Sequence, residues 1–121
     1  MDDQAYSLVI GIVGPCAAGK STLIKNLAGY HLDLHHIAQE HSYVADMWRR
    51  ITNPDRLIFL DASYPVTILR LHLDWTMDDY LEQHRRLRHA RQYANFYLVT
   101  DGLSPQEVAS RVINFLGIER G

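Results

Sequence analysis

The residues with the clearest chemistry stand together near the start of the chain: Gly14, Pro15, Cys16, Ala17, Ala18, Gly19, Lys20, Ser21 and Thr22. Two glycines frame a short loop, and a lysine and two hydroxyls follow the second at once. Glycine allows backbone turns that point successive N–H groups inward, and the first N–H groups of a helix lack partners of their own. A loop of this spelling between a strand and a helix is a concave donor site for phosphate oxygens. The Lys20 ammonium is expected to reach the β and γ phosphates of a nucleoside triphosphate. Ser21 suits a magnesium ion bridging those phosphates, and Thr22 suits the helix cap and the α phosphate. Cys16 is expected to be a small residue filling the turn.

Such a loop works only in the right frame. Residues 7–13 (SLVIGIV) are a continuous apolar run rich in β-branched side chains, which predicts a strand buried on both faces of a parallel sheet. After Lys20, the apolar Leu23, Ile24 and Leu27 recur at helical spacing, with Gly29 as the stop. Strand, loop and helix therefore occur in the required order. A second, more polar strand is expected over residues 34–39, then a short helix over 45–51 carrying Trp48 and broken by Asn53 and Pro54.

Residues 56–61 (RLIFLD) read as a buried strand, and Ser63 and Pro65 announce a helix with Val66, Leu69 and Leu73 on its apolar side. Residues 78–94 read as a long helix, apolar through Tyr80, Leu81, Leu87 and Ala94, with Arg85, Arg88 and Arg91 on a slanting stripe and Arg86 off it. The last strand is residues 96–100. Ser104-Pro105-Gln106-Glu107 is a capping box opening a helix whose apolar face is Val108, Val112, Phe115 and Leu116, and Gly117 ends it. Strands alternating with helices imply an α/β chain: a three-layer α/β/α sandwich around a mostly parallel sheet, with right-handed crossovers.

With these motifs in place, residues 7–118 resemble the P-loop kinases of the nucleoside, nucleoside-monophosphate and shikimate kinase group. The resemblance implies the P-loop NTPase fold, ATP and Mg2+ as cofactors, and a catalytic role for Lys20. Residues 57–63 and the following helix are similar to the strand and helix leading into the lid of those kinases, which would lay Arg70 against the nucleotide. Residues 80–93 resemble the lid helix, whose arginines, Arg88 and Arg91 among them here, would close over the transferring phosphate. Asp101-Gly102-Leu103-Ser104-Pro105 resembles their last strand-to-helix loop and would place Leu103 and Ser104 beside the adenine. The chain departs from the group in length. Before Arg56 there is no room for a full acceptor-binding insertion plus an extra strand, so a trimmed sheet of about four strands is expected.

Glu40, within Gln39-Glu40-His41-Ser42, is faintly similar to the acidic-arginine-serine signature of deoxynucleoside kinases, with histidine where arginine would stand. A carboxylate at the C-terminal end of a parallel strand can orient magnesium or accept the proton of an acceptor hydroxyl. Asp61 is the rival for the ion, because an apolar run ending in aspartate also fits the Walker B pattern. The expected magnesium set is Ser21 with Glu40 or Asp61. His31, His35, His36 and His41 lie close in sequence, but strand spacing scatters them and no cysteine joins them, so a transition-metal site is not expected. Trp48 and Trp75 are expected to pack rather than to stack on a base.

Composition bounds the partners. A chain of 121 residues suits one domain, residues 1–121. Its net charge of -2 argues against a sequence-independent grip on nucleic acid. One cysteine excludes an intrachain disulfide and fits a reducing, cytoplasmic setting. The acidic Asp2 and Asp3 do not suit a secretory signal, and residues 8–13 are far short of the roughly 20 apolar residues that span a bilayer. The expected partners are a nucleoside triphosphate and a small-molecule phosphate acceptor, with neither nucleic acid nor membrane. The leading expectation is a kinase moving the γ phosphate to a nucleoside, nucleotide or other small hydroxyl. An ATPase or nucleotide-dependent switch, and a non-catalytic nucleotide-binding module, are the alternatives. A guanine-specific switch is disfavoured, since no N-K-x-D motif occurs.

Overall fold

A computed structural model describes residues 7–71 and 75–118. Strand β1 (Leu8–Val13) runs into the glycine loop and helix α1 (Lys20–Asn26) leaves it. The chain continues through β2 (Leu32–His36), a 3-10 turn at Gln39–His41, α2 (Met47–Ile51) and β3 (Arg56–Asp61). Helices α3 (Tyr64–Leu71) and α4 (Met77–Tyr93), strand β4 (Phe96–Val99) and helix α5 (Pro105–Leu116) complete it. All four strands are parallel, in the order β2-β1-β3-β4. The α/β class and the four-strand sheet agree with the sequence reading.

Successive strand side chains point to opposite faces, and here both faces are buried. Ile10, Ile12, Ile58, Leu60 and Leu98 meet Leu23 and Leu27 at α1 and Val108 and Val112 on α5. Val13, Leu57 and Phe59 meet Trp48 on α2 and Leu87 and Ala90 on α4. The resulting layers are compatible with a three-layer sandwich. This double burial is why β1 and β3 spell unbroken apolar runs. Among the described residues, no helix is long and apolar enough to cross a membrane.

Several boundaries differ from the sequence reading. The second strand is Leu32–His36 rather than residues 34–39, because Leu32 and Leu34 pack into the α1 side of the core and pair opposite Leu8 and Ile10. The Ile37 N–H still donates to the Ile12 carbonyl, and the chain then leaves the sheet. Gln39 is fully buried and holds this exit: its amide donates to the Val44 and Arg86 carbonyls, and its oxygen accepts the Trp48 N–H at 2.9 Å. Those bonds delay α2, which starts at Met47 and not at residue 45.

On α3, Val66 packs inward while Leu69 is 71% exposed, and Leu73 lies outside the described residues. The inward position next to Val66 belongs to Thr67, whose hydroxyl donates to the Tyr64 carbonyl and accepts the Trp75 indole N–H. On α4 the inward face is Gln83, Leu87, Ala90 and Ala94, and Leu81 is exposed. That helix opens with a capping box of Thr76 and Asp79. Helix α5 follows its own expected signals, the Ser104 and Glu107 box at the start and Gly117 at φ 65° after its end.

Candidate functional site

The strand order creates a cleft where the chain must diverge. Strands β1 and β3 are neighbours, yet the β1-to-β2 connection packs α1 on one face of the sheet, while the β3-to-β4 connection passes through α3, whose Val66 lies on that same face, and then through α4 on the other. Open parallel sheets offer a crevice at such a switch point, outside the C-terminal strand ends. Residues 14–19 occupy that position. Gly14 leaves β1 at φ 151°, where a Cβ would stand 1.9 Å from the Leu60 carbonyl oxygen on β3. Gly19 lies at φ 100° and begins α1 with no side-chain cap. Ser21 and Thr22 are exposed on its first turn.

Lys20 folds back over the loop instead of pointing to solvent. Its side chain is 5% exposed and donates to the carbonyls of Gly14 at 2.6 Å and Pro15 at 3.0 Å and to Glu40 Oε2 at 3.0 Å. These three bonds match the three protons of an ammonium group. The 3-10 turn after β2 delivers Glu40 here, because β1 and β2 run parallel and end side by side. The Glu40 side chain is 4% exposed, and its Oε1 has no hydrogen-bond partner among the described residues. A buried charge that is only half satisfied is costly, and calls for a ligand or a role.

The neighbours of this pair come from the loop, the 3-10 turn and α4. His41 Nε2 lies 3.8 Å from Glu40 Oε2 and 3.8 Å from Cys16 Sγ. Gln83 on α4 grips Cys16 twice, accepting its N–H at 2.9 Å and donating to its sulfur at 3.1 Å. Burial holds the His36 imidazole below its ordinary pKa; Lys20 and His41 push the same way and Glu40 opposes them. Arg86 bonds Glu82, lies over the Tyr43 ring at 4.2 Å and reaches the Glu40 carbonyl at 3.5 Å.

On the α1 and α5 side a cleft of about 390 Å³ opens against Ala17, Ala18, Gly19, Thr22, Arg70 and Leu103. Arg70 fixes its wall, donating to the Ala17 carbonyl at 2.9 Å and to the Thr100 hydroxyl and carbonyl at 2.9 and 3.0 Å. The Thr100 hydroxyl also lies 3.1 Å from the Ala18 and Asp61 carbonyls, tying the loop to the ends of β3 and β4. The Ser104 hydroxyl is taken by its capping bond from the Glu107 N–H.

Asp61 is differently employed. Its Oδ1 accepts from the Ala62 N–H and His84 Nε2, and its Oδ2 from the Tyr97 hydroxyl at 2.5 Å. Burial pushes its carboxyl up, but those three donors outweigh burial and hold it below the usual carboxylate value. His84 is raised by the Asp61 hydrogen bond, with the Tyr80 carbonyl at Nδ1 adding to it and burial opposing. Both of its ring contacts are acceptors, which favours the doubly protonated ring. Burial and Asp61 push the Tyr97 phenol up to about 12. Arg91 stacks over that phenol at 3.7 Å, and Arg88 is exposed on α4.

The structure thus gathers Gly14, Pro15, Cys16, Lys20 and Glu40 into one cluster and sets Ala17, Ala18, Gly19, Thr22, Arg70 and Leu103 around the adjoining cleft. Arg88 and Arg91 have no contact with Lys20 or Glu40 among the described residues. Gln83 and Thr100 are the site residues that sequence reasoning did not single out. One of them left a signal: Gln83 is the polar residue at an inward position of a helix whose next inward residues are Leu87 and Ala90. Compared with known proteins, the chain matches no family model, and no curated protein is significantly similar to it in sequence.

Proposed function

We propose that the chain binds a nucleoside triphosphate with magnesium on residues 14–22 and transfers the γ phosphate to a small hydroxyl-bearing acceptor. One observation carries this reading. A buried ammonium lies folded over a glycine loop at a switch point, paired to a carboxylate that has one oxygen unpartnered. Lys20 would exchange its loop carbonyls for phosphate oxygens. The cleft beside Thr22, Arg70 and Leu103 falls within the roughly 300–1,000 Å³ typical of small-molecule sites and suits the nucleoside.

The oxygen donors present fit magnesium, a hard cation: the exposed Ser21 hydroxyl and the unpartnered oxygen of Glu40. When bound, magnesium would neutralise charge on the phosphates. The chain's own contributions are positioning and charge. The loop would orient the phosphates and Lys20 would offset their charge, while Arg70 and Thr100 satisfy the Ala17 and Ala18 carbonyls. Where it does not hold the ion, Glu40 would accept the proton of an attacking hydroxyl.

A second reading, a nucleotide-binding module without transfer, is favoured by the placement of the expected lid arginines, Arg88 exposed and Arg91 stacked on Tyr97. Protein incubated with γ-labelled ATP, magnesium and a panel of nucleosides, nucleoside monophosphates and small alcohols separates the cases. Label on an acceptor supports transfer, free phosphate alone supports an ATPase, and intact ATP with a saturable thermal shift supports the module. If no nucleoside triphosphate gives a saturable shift, or Lys20→Ala leaves that shift unchanged, the proposal fails.

A further inference from the structure

We propose that Cys16, Glu40 and His41 form a binding site for a zinc-class divalent cation at the mouth of the loop. The three residues belong to the loop after β1 and the turn after β2, which the parallel pairing of those strands sets side by side. Each offers one ligand atom, and the three atoms lie within 4.8 Å of one another. A thiol, an imidazole and a carboxylate are the donor set of zinc, and a poor one for magnesium, which takes oxygen.

The geometry needs little adjustment. Tetrahedral zinc with bonds of about 2.3 Å to sulfur and about 2.0–2.1 Å to nitrogen or oxygen sets neighbouring ligand atoms about 3.4–3.6 Å apart. The separations from the imidazole to the sulfur and to Glu40 Oε2 are both 3.8 Å, and the sulfur and the carboxylate lie within 4.8 Å of each other. The two separations that involve His41 therefore close by a few tenths of an ångström, and His41, 60% exposed, is free to make that movement. A second, independent observation points to a cation. Glu40 is 4% exposed and its Oε1 has no partner among the described residues, so the carboxylate keeps acceptor capacity that Lys20 does not use.

Binding releases the Cys16 thiol proton, so the thiolate brings one negative charge, and the Glu40 carboxylate is shared between the dication and Lys20. Gln83 positions the sulfur through its paired bonds to the Cys16 N–H and Sγ, as outer-shell partners of metal ligands do. A cation here draws on the same carboxylate that faces Lys20. If the nucleotide reading holds, zinc then opposes triphosphate binding; only this corollary rests on that reading.

The test uses tag-free, chelator-treated protein without nucleotide, titrated with Co2+ and then with Zn2+. The expected result is one Co2+ per chain with a thiolate-to-cobalt charge-transfer band, displaced by Zn2+. His41→Ala and Cys16→Ser should each weaken the metal by at least about tenfold, and the exposed His31→Ala should not. Absence of the charge-transfer band, or wild-type affinity in a His41→Ala variant with unchanged circular dichroism and Tm, overturns the site. His41 is exposed enough that this variant should fold even if Cys16→Ser does not. In a separate arm, zinc should raise the apparent Kd for ATP. Failure there with cobalt binding intact overturns the competition alone, and failure of ATP to bind at all leaves the cobalt result standing.

Discussion

Replacing Glu40 by glutamine keeps the shape of the side chain and removes the only carboxylate that Lys20 contacts among the described residues. Both side chains are at most 5% exposed, so the ammonium left behind could not recover its hydration without the loop opening. Removing one partner of a buried ion pair costs about 3–5 kcal/mol. The lower end applies here, because the Gly14 and Pro15 carbonyls still accept from Lys20. With an unfolding entropy of about 2.1 cal/mol/K per residue, a chain of 121 residues loses roughly 4 °C of Tm per kcal/mol, so Glu40→Gln should melt roughly 12 °C lower. Differential scanning calorimetry measures this directly. The double variant Lys20→Met with Glu40→Gln removes both charges and should regain at least about half of the loss, since neutral replacements of a buried pair are nearly neutral in energy. On the functional side, Glu40→Gln should lose turnover while the thermal shift at saturating ATP stays at least as large as in the wild type, because no carboxylate competes for Lys20. A drop in Tm below about 4 °C, or a double variant whose loss is the plain sum of its parts, refutes the coupled buried pair.

Gly14→Ala drives a methyl into the Leu60 carbonyl and should cost about 3 kcal/mol or more, whereas Gly19→Ala meets no atom within 4 Å and should cost only about 1–2 kcal/mol for its left-handed backbone; urea titration ranks them, and the reverse order sinks the loop geometry. The raised His84 pKa makes its contribution fully present below about 6.5, its unfolded value, and lost as pH rises through the higher folded value. Tm measured across that range should therefore fall on the alkaline side in the wild type and flatten in His84→Gln, and an unchanged profile would be the disproof. The lowered Asp61 pKa acts on the opposite limb, its contribution present above the ordinary carboxylate value and lost as pH falls through the depressed one. Arg70→Ala frees the Ala17 carbonyl and the Thr100 side chain, and should weaken ATP by roughly tenfold in titration calorimetry while moving Tm little; equal affinity would remove Arg70 from the cleft wall.

What could be read from the sequence was local. The run of residues 7–13, the buried run of 56–61 and the box at Ser104 each combine burial, period and cap within a few residues, and the structure follows them closely. The errors fell where a distant partner decides. The second strand shifted because Leu32 pairs beside Leu8, and the chain leaves the sheet at a turn fixed by Gln39, whose partner Arg86 is far along the sequence. The face of α4 was misjudged at Leu81 because what lies opposite it, the turn carrying Glu40 and the sulfur of Cys16, asks for Gln83 and Arg86 instead. His41 was read with the other histidines and Cys16 apart from them, yet the two side chains lie 3.8 Å apart. Their adjacency follows from the strand order, which no local pattern encodes.

That order also explains why one loop touches two different environments. Because α1 packs on one face of the sheet and α4 on the other, residues 14–20 lie between two compartments. Toward α1 and α5 lies a cleft walled by Thr22, Leu103 and the Arg70–Thr100 bonds. Toward α4 lie Glu40, His41, Gln83 and Arg86, with Tyr43, 85% exposed, stacked beneath the guanidinium. Under the proposed function the nucleoside belongs to the first compartment and the acceptor to the second. Lys20, whose contacts run from the loop carbonyls to Glu40, stands where the phosphate would cross. The Tyr43–Arg86 stack is then the surface on which an acceptor would rest. Substitutions on the two sides should accordingly separate: changes at Arg70 alter affinity for the nucleotide, and changes at Tyr43 or Arg86 alter the choice and KM of the acceptor.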